Sequence, residues 1–111
     1  MKEAAWCIVP GVEASAAEFP IVAQVEGEDV VVFRAGRHLR AIGRWCPHRQ
    51  ADLAEGRLMG DMIKCPLHGY IFRLSDGRGV NCMGVNATAY EALVDGSDLK
   101  LRKVAGRDEP E

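Results

Sequence analysis

Two short segments of this chain hold the residues best suited to chemistry: Cys46-Pro47-His48 and Cys65-Pro66-Leu67-His68, separated by the sixteen residues 49–64. Each segment offers one thiolate and one imidazole at close range, so two loops brought together present two sulfur and two nitrogen ligands. Such a donor set serves a structural zinc, or an iron–sulfur cluster in which two histidines replace two cysteines on one iron. Zinc fingers pair Cys with Cys and His with His at short spacing, whereas each segment here mixes one of each. Mixed pairs suit a cluster in which both sulfurs go to one iron and both imidazoles to the other, because each loop must then reach both irons. No residue set has the form of a nucleophile with its base, and no glycine-rich loop follows a strand to cradle a phosphate.

The elements that must hold these loops are short strands. Val30-Val31-Val32-Phe33 is a continuous β-branched and aromatic run, residues 39–42 alternate, and Ala35-Gly36-Arg37 supplies a hairpin turn between them. Further strands are expected at 6–9, 21–25, 62–64, 71–74, 89–93 and 99–102, with turns at Asp76-Gly77 and Asp95-Gly96-Ser97. Ala14 to Ala17 is alanine-rich, but Pro20 limits it to one helical turn. The expectation is an all-β, antiparallel single domain over 1–105 with a polar tail at 106–111.

Size and charge narrow the partners. At 111 residues the chain is expected to form one domain, and 48% hydrophobic content is that of a globular protein. A net charge of -2 gives no electrostatic case for nucleic acid or an anionic membrane surface. No apolar run approaches the ~18 residues of a membrane span, and the first residues lack a signal-peptide pattern, so a cytoplasmic location is expected. In that reducing compartment the four cysteines are not expected to form a disulfide framework.

Taken together, Cys-x-His, sixteen residues and Cys-x-x-His resemble the pattern of Rieske [2Fe-2S] proteins. The resemblance runs through Cys46-Pro47-His48-Arg49, Leu53-Ala54-Glu55-Gly56 and Cys65-Pro66-Leu67-His68-Gly69-Tyr70-Ile71-Phe72, within about residues 30–102. It implies a Rieske-type β sandwich or barrel with a small cluster-binding subdomain and one [2Fe-2S] cluster per chain. It further implies that Cys46 and Cys65 bind the inner iron, that His48 and His68 bind the outer iron near the surface, and that Pro47 and Pro66 stiffen the loop tips. Gly69 would let the backbone approach the cluster.

The departures from the pattern are informative. The respiratory-complex branch of the family has a further cysteine in each loop, forming a disulfide, where this chain has Ala51 and Leu67. That branch also places a Ser and a Tyr after the second His, bonding to cluster sulfur, where Tyr70 and Phe72 stand here. Such bonds stabilise the more negative reduced state, so their loss predicts a midpoint near the low end of roughly -150 to +300 mV. Gln50 stands where many relatives have Gly.

Outside the four ligands, Cys7 and Cys82 are read as buried thiols, His38 as a solvated strand residue and Trp6 as core. Trp45 is either a shield for the cluster or core. Arg44, Arg49 and Arg57 are read as solvated charges that could steer an acidic partner. The small Rieske ferredoxins look closest, and 111 residues are expected to leave no room for the mononuclear iron domain of a Rieske oxygenase. The resemblance therefore implies an electron carrier, not an enzyme. It would pass electrons from a flavin-dependent NAD(P)H reductase to a terminal, aromatic-ring-hydroxylating oxygenase. A Rieske-type small subunit of a nitrite reductase or other multicomponent reductase is the alternative within this chemistry. A zinc-stabilised β domain that binds a partner is the alternative outside it.

Overall fold

The computed structural model describes residues 6–9, 19–35, 38–47, 51–67, 69–82, 84–95 and 98–104. Nine strands occur among them: β1 (Cys7–Val9), β2 (Ile21–Val25), β3 (Glu28–Ala35), β4 (His38–Gly43), β5 (Arg57–Met59), β6 (Met62–Lys64), β7 (Ile71–Arg73), β8 (Ala89–Asp95) and β9 (Asp98–Lys103). A six-stranded antiparallel sheet has the order β1-β9-β8-β4-β3-β2. Its edge strands β1 and β2 contact each other, which curls the sheet into a nearly closed barrel. Residues 44–88 leave the barrel after β4, build the antiparallel sheet β5-β6-β7, and return at β8. No helix among the described residues is long and apolar enough to cross a membrane.

Burial explains the sequence patterns. In β2, Ile21, Ala23 and Val25 are buried while Val22 and Gln24 are exposed, the period of a strand with one face covered. In β3, all four residues of the Val30–Phe33 run are buried, because both faces of the strand are covered. Val30 and Val32 pack inside the barrel with Ala41, Tyr90, Leu99 and Leu101. Val31 and Phe33 pack on the other side with Ile42, Leu53, Ile63, Phe72 and Leu74. The register pairs Val31 with Ile42 and Val32 with Ala41, so β3 and β4 are a wall shared by two cores.

All eight expected strands appear within two residues of their expected ends, and one further strand was not expected. The first strand starts at Cys7, and the seventh stops at Arg73, with Leu74 in a turn. The strand β5 was not expected: Arg57-Leu58-Met59 lacks β-branched residues, and it pairs with β6 across the two-residue turn Gly60-Asp61. Gly60 has φ +59°, the conformation that primed hairpin turns need at their first central position. The alanine-rich stretch 14–17, the tip 36–37 and the tail 106–111 lie outside the described residues.

Candidate metal centre

Both candidate cysteines sit where the small sheet meets the shared wall. Cys46 is 0% exposed and Cys65 1%, and both belong to the apolar cluster of Val31, Ile42, Leu53, Ile63, Phe72 and Leu74. None of the four cysteines is in a disulfide. The two cysteines open loops that close in the same way. The N–H of Cys46 donates to the carbonyl of Ala51 at 2.7 Å, and the N–H of Cys65 donates to the carbonyl of Tyr70 at 2.7 Å. In each case the acceptor is the fifth residue after the cysteine, and the histidine lies inside the loop. Such closure turns a short segment back on itself and holds its cysteine against the core.

The first loop has a further clasp. Asp52 caps the 3-10 turn Leu53–Glu55 by accepting from the N–H of Ala54 at 3.0 Å. The same carboxylate takes Nε and Nη2 of Arg44 at 3.0 and 2.9 Å, a two-pronged ion pair across the loop mouth. The Arg44 bonds hold the Asp52 carboxyl below the usual carboxylate range, outweighing the opposing effect of burial, and Asp52 in turn raises Arg44. Arg44 also lies over the ring of Trp45 at 4.6 Å, and the Trp45 indole N–H donates to Asp29 on β3 at 3.0 Å. The chain Asp52-Arg44-Trp45-Asp29 thereby ties the loop to the barrel.

The second loop leaves at Gly69, whose φ of +74° is the left-handed conformation. An added Cβ there would meet only Lys64 Cε, at 3.5 Å. Among the described residues the glycine is thus required by its dihedral angle, and crowding from the protein does not demand it. Asn81 accepts from the N–H of Ile71 at 2.8 Å and donates to the carbonyl of Gly69 at 3.1 Å, bracing the loop exit from outside. Pro47, Pro66 and Leu67 form exposed surface at the loops, with Leu67 61% exposed.

The structure thus brings Cys46 and Cys65 into one buried cluster, while His48 and His68 lie outside the described residues, as do Arg49 and Gln50. The chemistry of the donor set fits a metal pair. Two cysteines, neither in a disulfide, are held in one apolar core on loops whose sequences each carry an imidazole.

Other expectations are corrected. Cys7 is half-buried, packed against the margin of the barrel core from edge strand β1, whereas Cys82 is buried as expected. Trp45 is 40% exposed and therefore not core. Trp6 is half-buried beneath the Arg102 guanidinium, 4.1 Å from the ring centre, not enclosed in the core. Arg44 is committed to Asp52 and Trp45, so it is not a solvated steering charge; Arg57 is exposed on β5 and His38 is exposed on β4. Sequence reasoning missed Asp52 and Asn81. Asp52 had a signal, a capping residue followed three positions later by Glu55.

Comparison with known proteins gives the same picture. The sequence model described as the Rieske [2Fe-2S] domain matches residues 5–91. The oxygenase component of chloroacetanilide N-alkylformylase from Rhizorhabdus wittichii is 39% identical over 80 residues, covering 69% of this chain and 20% of that protein. Ferredoxin CarAc of Metapseudomonas resinovorans is 39% identical over 56 residues, covering 50% of this chain and 52% of that ferredoxin. The chain thus spans about a fifth of the first relative and about half of the second. Among solved structures, the ferredoxin of carbazole 1,9a-dioxygenase from Nocardioides aromaticivorans superposes with a TM-score of 0.73 at 28% identity. That match covers 87% of this chain and 96% of the other.

Proposed function

The chain belongs to the Rieske [2Fe-2S] family, and we propose that it is a one-electron carrier passing electrons from a flavin-dependent NAD(P)H reductase to a terminal aromatic-ring-hydroxylating oxygenase. The cofactor is one [2Fe-2S] cluster, which when bound supplies a one-electron couple. In this reading Cys46 and Cys65 hold the inner iron, and His48 and His68 hold the outer one. The observation that carries it is the pair of buried cysteines on twin loops, closed by the same hydrogen bond and set in one apolar cluster.

Each part of the chain then has a task. Leu53, Ile63, Phe72 and Leu74 exclude water from the thiolate side of the site and lower its local dielectric constant. The Arg44–Asp52 clasp fixes the mouth of the first loop. Pro47, Pro66 and Leu67 offer a small apolar surface beside the two histidine positions, suited to brief contact with redox partners, whose interfaces are small and weak. The alignment along 96% of a carbazole dioxygenase ferredoxin supports the carrier reading, as does the absence of a nucleophile–base set in the sequence.

Purified protein tests the reading directly. A red-brown solution with two irons and two acid-labile sulfides per chain, reduced by one electron, is expected. A colourless protein holding a single zinc would overturn the proposal in favour of a partner-binding β domain.

A further inference from the structure

The segment after Gly77 runs antiparallel to the exit of the second loop. Arg73 donates to the carbonyl of Arg78 at 2.9 Å, Phe72 bridges to Gly79, and Val80 donates to the carbonyl of Ile71 at 2.8 Å. One residue further on, the Asn81 side chain takes over from the backbone. Its Oδ1 accepts from Ile71 N–H and its Nδ2 donates to the Gly69 carbonyl, at 2.8 and 3.1 Å. The carboxamide presents an N–H donor and a carbonyl acceptor side by side, as neighbouring peptide groups do, and so it extends the ladder by one rung. Its orientation is fixed by its partners, since an N–H needs the oxygen and a carbonyl needs the amide nitrogen. Peptide groups alternate along an extended chain: Tyr70 turns its carbonyl inward to Cys65, while Gly69 and Ile71 face outward to Asn81.

The platform that carries Asn81 is itself tightly closed. Ala87 donates to Gly77 at 2.7 Å, Gly79 donates to the Asn86 side chain at 3.0 Å, and Val85 donates to Cys82 at 3.0 Å. A Cβ on Gly79 would stand 2.2 Å from the Val85 carbonyl and 2.7 Å from the Cys82 sulfur, so no larger residue fits there. Cys82 anchors the platform in the apolar cluster that holds Cys46 and Cys65.

We propose that Asn81 is a positioning residue for the redox centre: by clamping the peptide groups on both sides of Tyr70, it holds closed the loop that carries Cys65 and His68. The inference rests on the ligand reading above. Asn81 acts through the backbone of Gly69 and Ile71. An aspartate in its place keeps an acceptor for Ile71, loses the donor to Gly69 and brings a negative charge toward the site.

Hydrogen exchange, electron paramagnetic resonance, film voltammetry and bleaching by an iron chelator, applied to the wild type, Asn81→Ala and Asn81→Asp, test the proposal. In Asn81→Ala, exchange at Ile71 and cluster bleaching should both accelerate about tenfold, equivalent to ~1.4 kcal/mol, with displaced g-values. Asn81→Asp should keep Ile71 protected, yet bleach faster than wild type and have a lower midpoint. Wild-type g-values, midpoint and bleaching in the variants would overturn the proposal even if their melting temperatures fell, because Asn81 would then only brace a surface turn. If Asn81→Ala does not fold, Asn81→Asp decides by the same criteria. A wild-type protein without a paramagnetic signal on reduction would instead overturn the ligand reading itself.

Discussion

Phe72 shows how one side chain can set the working range of the site. It is 0% exposed, pairs with Ile63 across the small sheet, and shares its apolar cluster with both cysteines. A tyrosine at this place in the respiratory branch would offer a hydroxyl to cluster sulfur; Phe72 has none to offer. Phe72→Tyr should therefore raise the midpoint measured by film voltammetry. A hydrogen bond stronger by ~1.4 kcal/mol in the reduced state raises a one-electron couple by ~59 mV. The wild-type midpoint should lie near the low end of the family range, and a value above about +100 mV would contradict this account of Phe72. The substitution also buries a hydroxyl, costing ~1–3 kcal/mol of stability if nothing bonds it. At this scale the sequence was most legible. Cysteine and histidine spacing is a local property, so the expectation that Cys46 and Cys65 share a site could be stated from sequence alone, and the structure sets both in one apolar cluster. The half-burial of Trp6 and Cys7 could not, because the cover of an edge strand depends on distant neighbours.

The loop-bearing elements depend on polar clasps as well as on apolar contacts. Asp52 serves as a helix cap, as the partner of Arg44 and as a bridge residue to Trp45. Its carboxyl titrates below its unfolded value of ~3.9, chiefly because of the Arg44 hydrogen bonds. The clasp therefore contributes its full stabilisation above the unfolded pKa and loses it as pH falls through the folded one. Asp52→Asn should melt a few degrees below wild type at pH 7, and the gap should narrow as melts are taken below about pH 3.9. A gap that does not change with pH would show that the carboxylate charge plays no part. The strand positions and the β3–β4 hairpin follow from patterns of β-branched residues and turns, whereas the strand order rests on long-range pairing and β5 did not declare itself. Its three residues are held by pairing and by the Gly60 turn, not by any strand preference of their own. Asn81 was equally silent, since an asparagine in a turn-rich stretch ordinarily bonds its own neighbours, and here it bonds a segment ten residues away.

At the scale of the whole molecule, the described residues form two cores that share one wall, and only one of the two contains Cys46 and Cys65. Val32 faces the barrel core and Val31 faces the core that contains Cys46 and Cys65. Val31→Ala and Val32→Ala should each cost ~1–3 kcal/mol by thermal melting. Only Val31→Ala should also hasten cluster loss to a chelator, and equal effects of the two on the cluster would contradict the division. A continuous apolar run such as Val30–Phe33 announces a strand covered on both faces, but the sequence does not say that the two covers are different cores. The mixed ligand set of two sulfurs and two imidazoles can be read by electron–nuclear double resonance on the reduced protein with 15N-labelled histidine. Two strongly coupled nitrogens, both changed by the label and one lost in each of His48→Cys and His68→Cys, are the predicted result. A reduced cluster coupled to fewer than two histidine nitrogens, or couplings unaltered by either substitution, would contradict it.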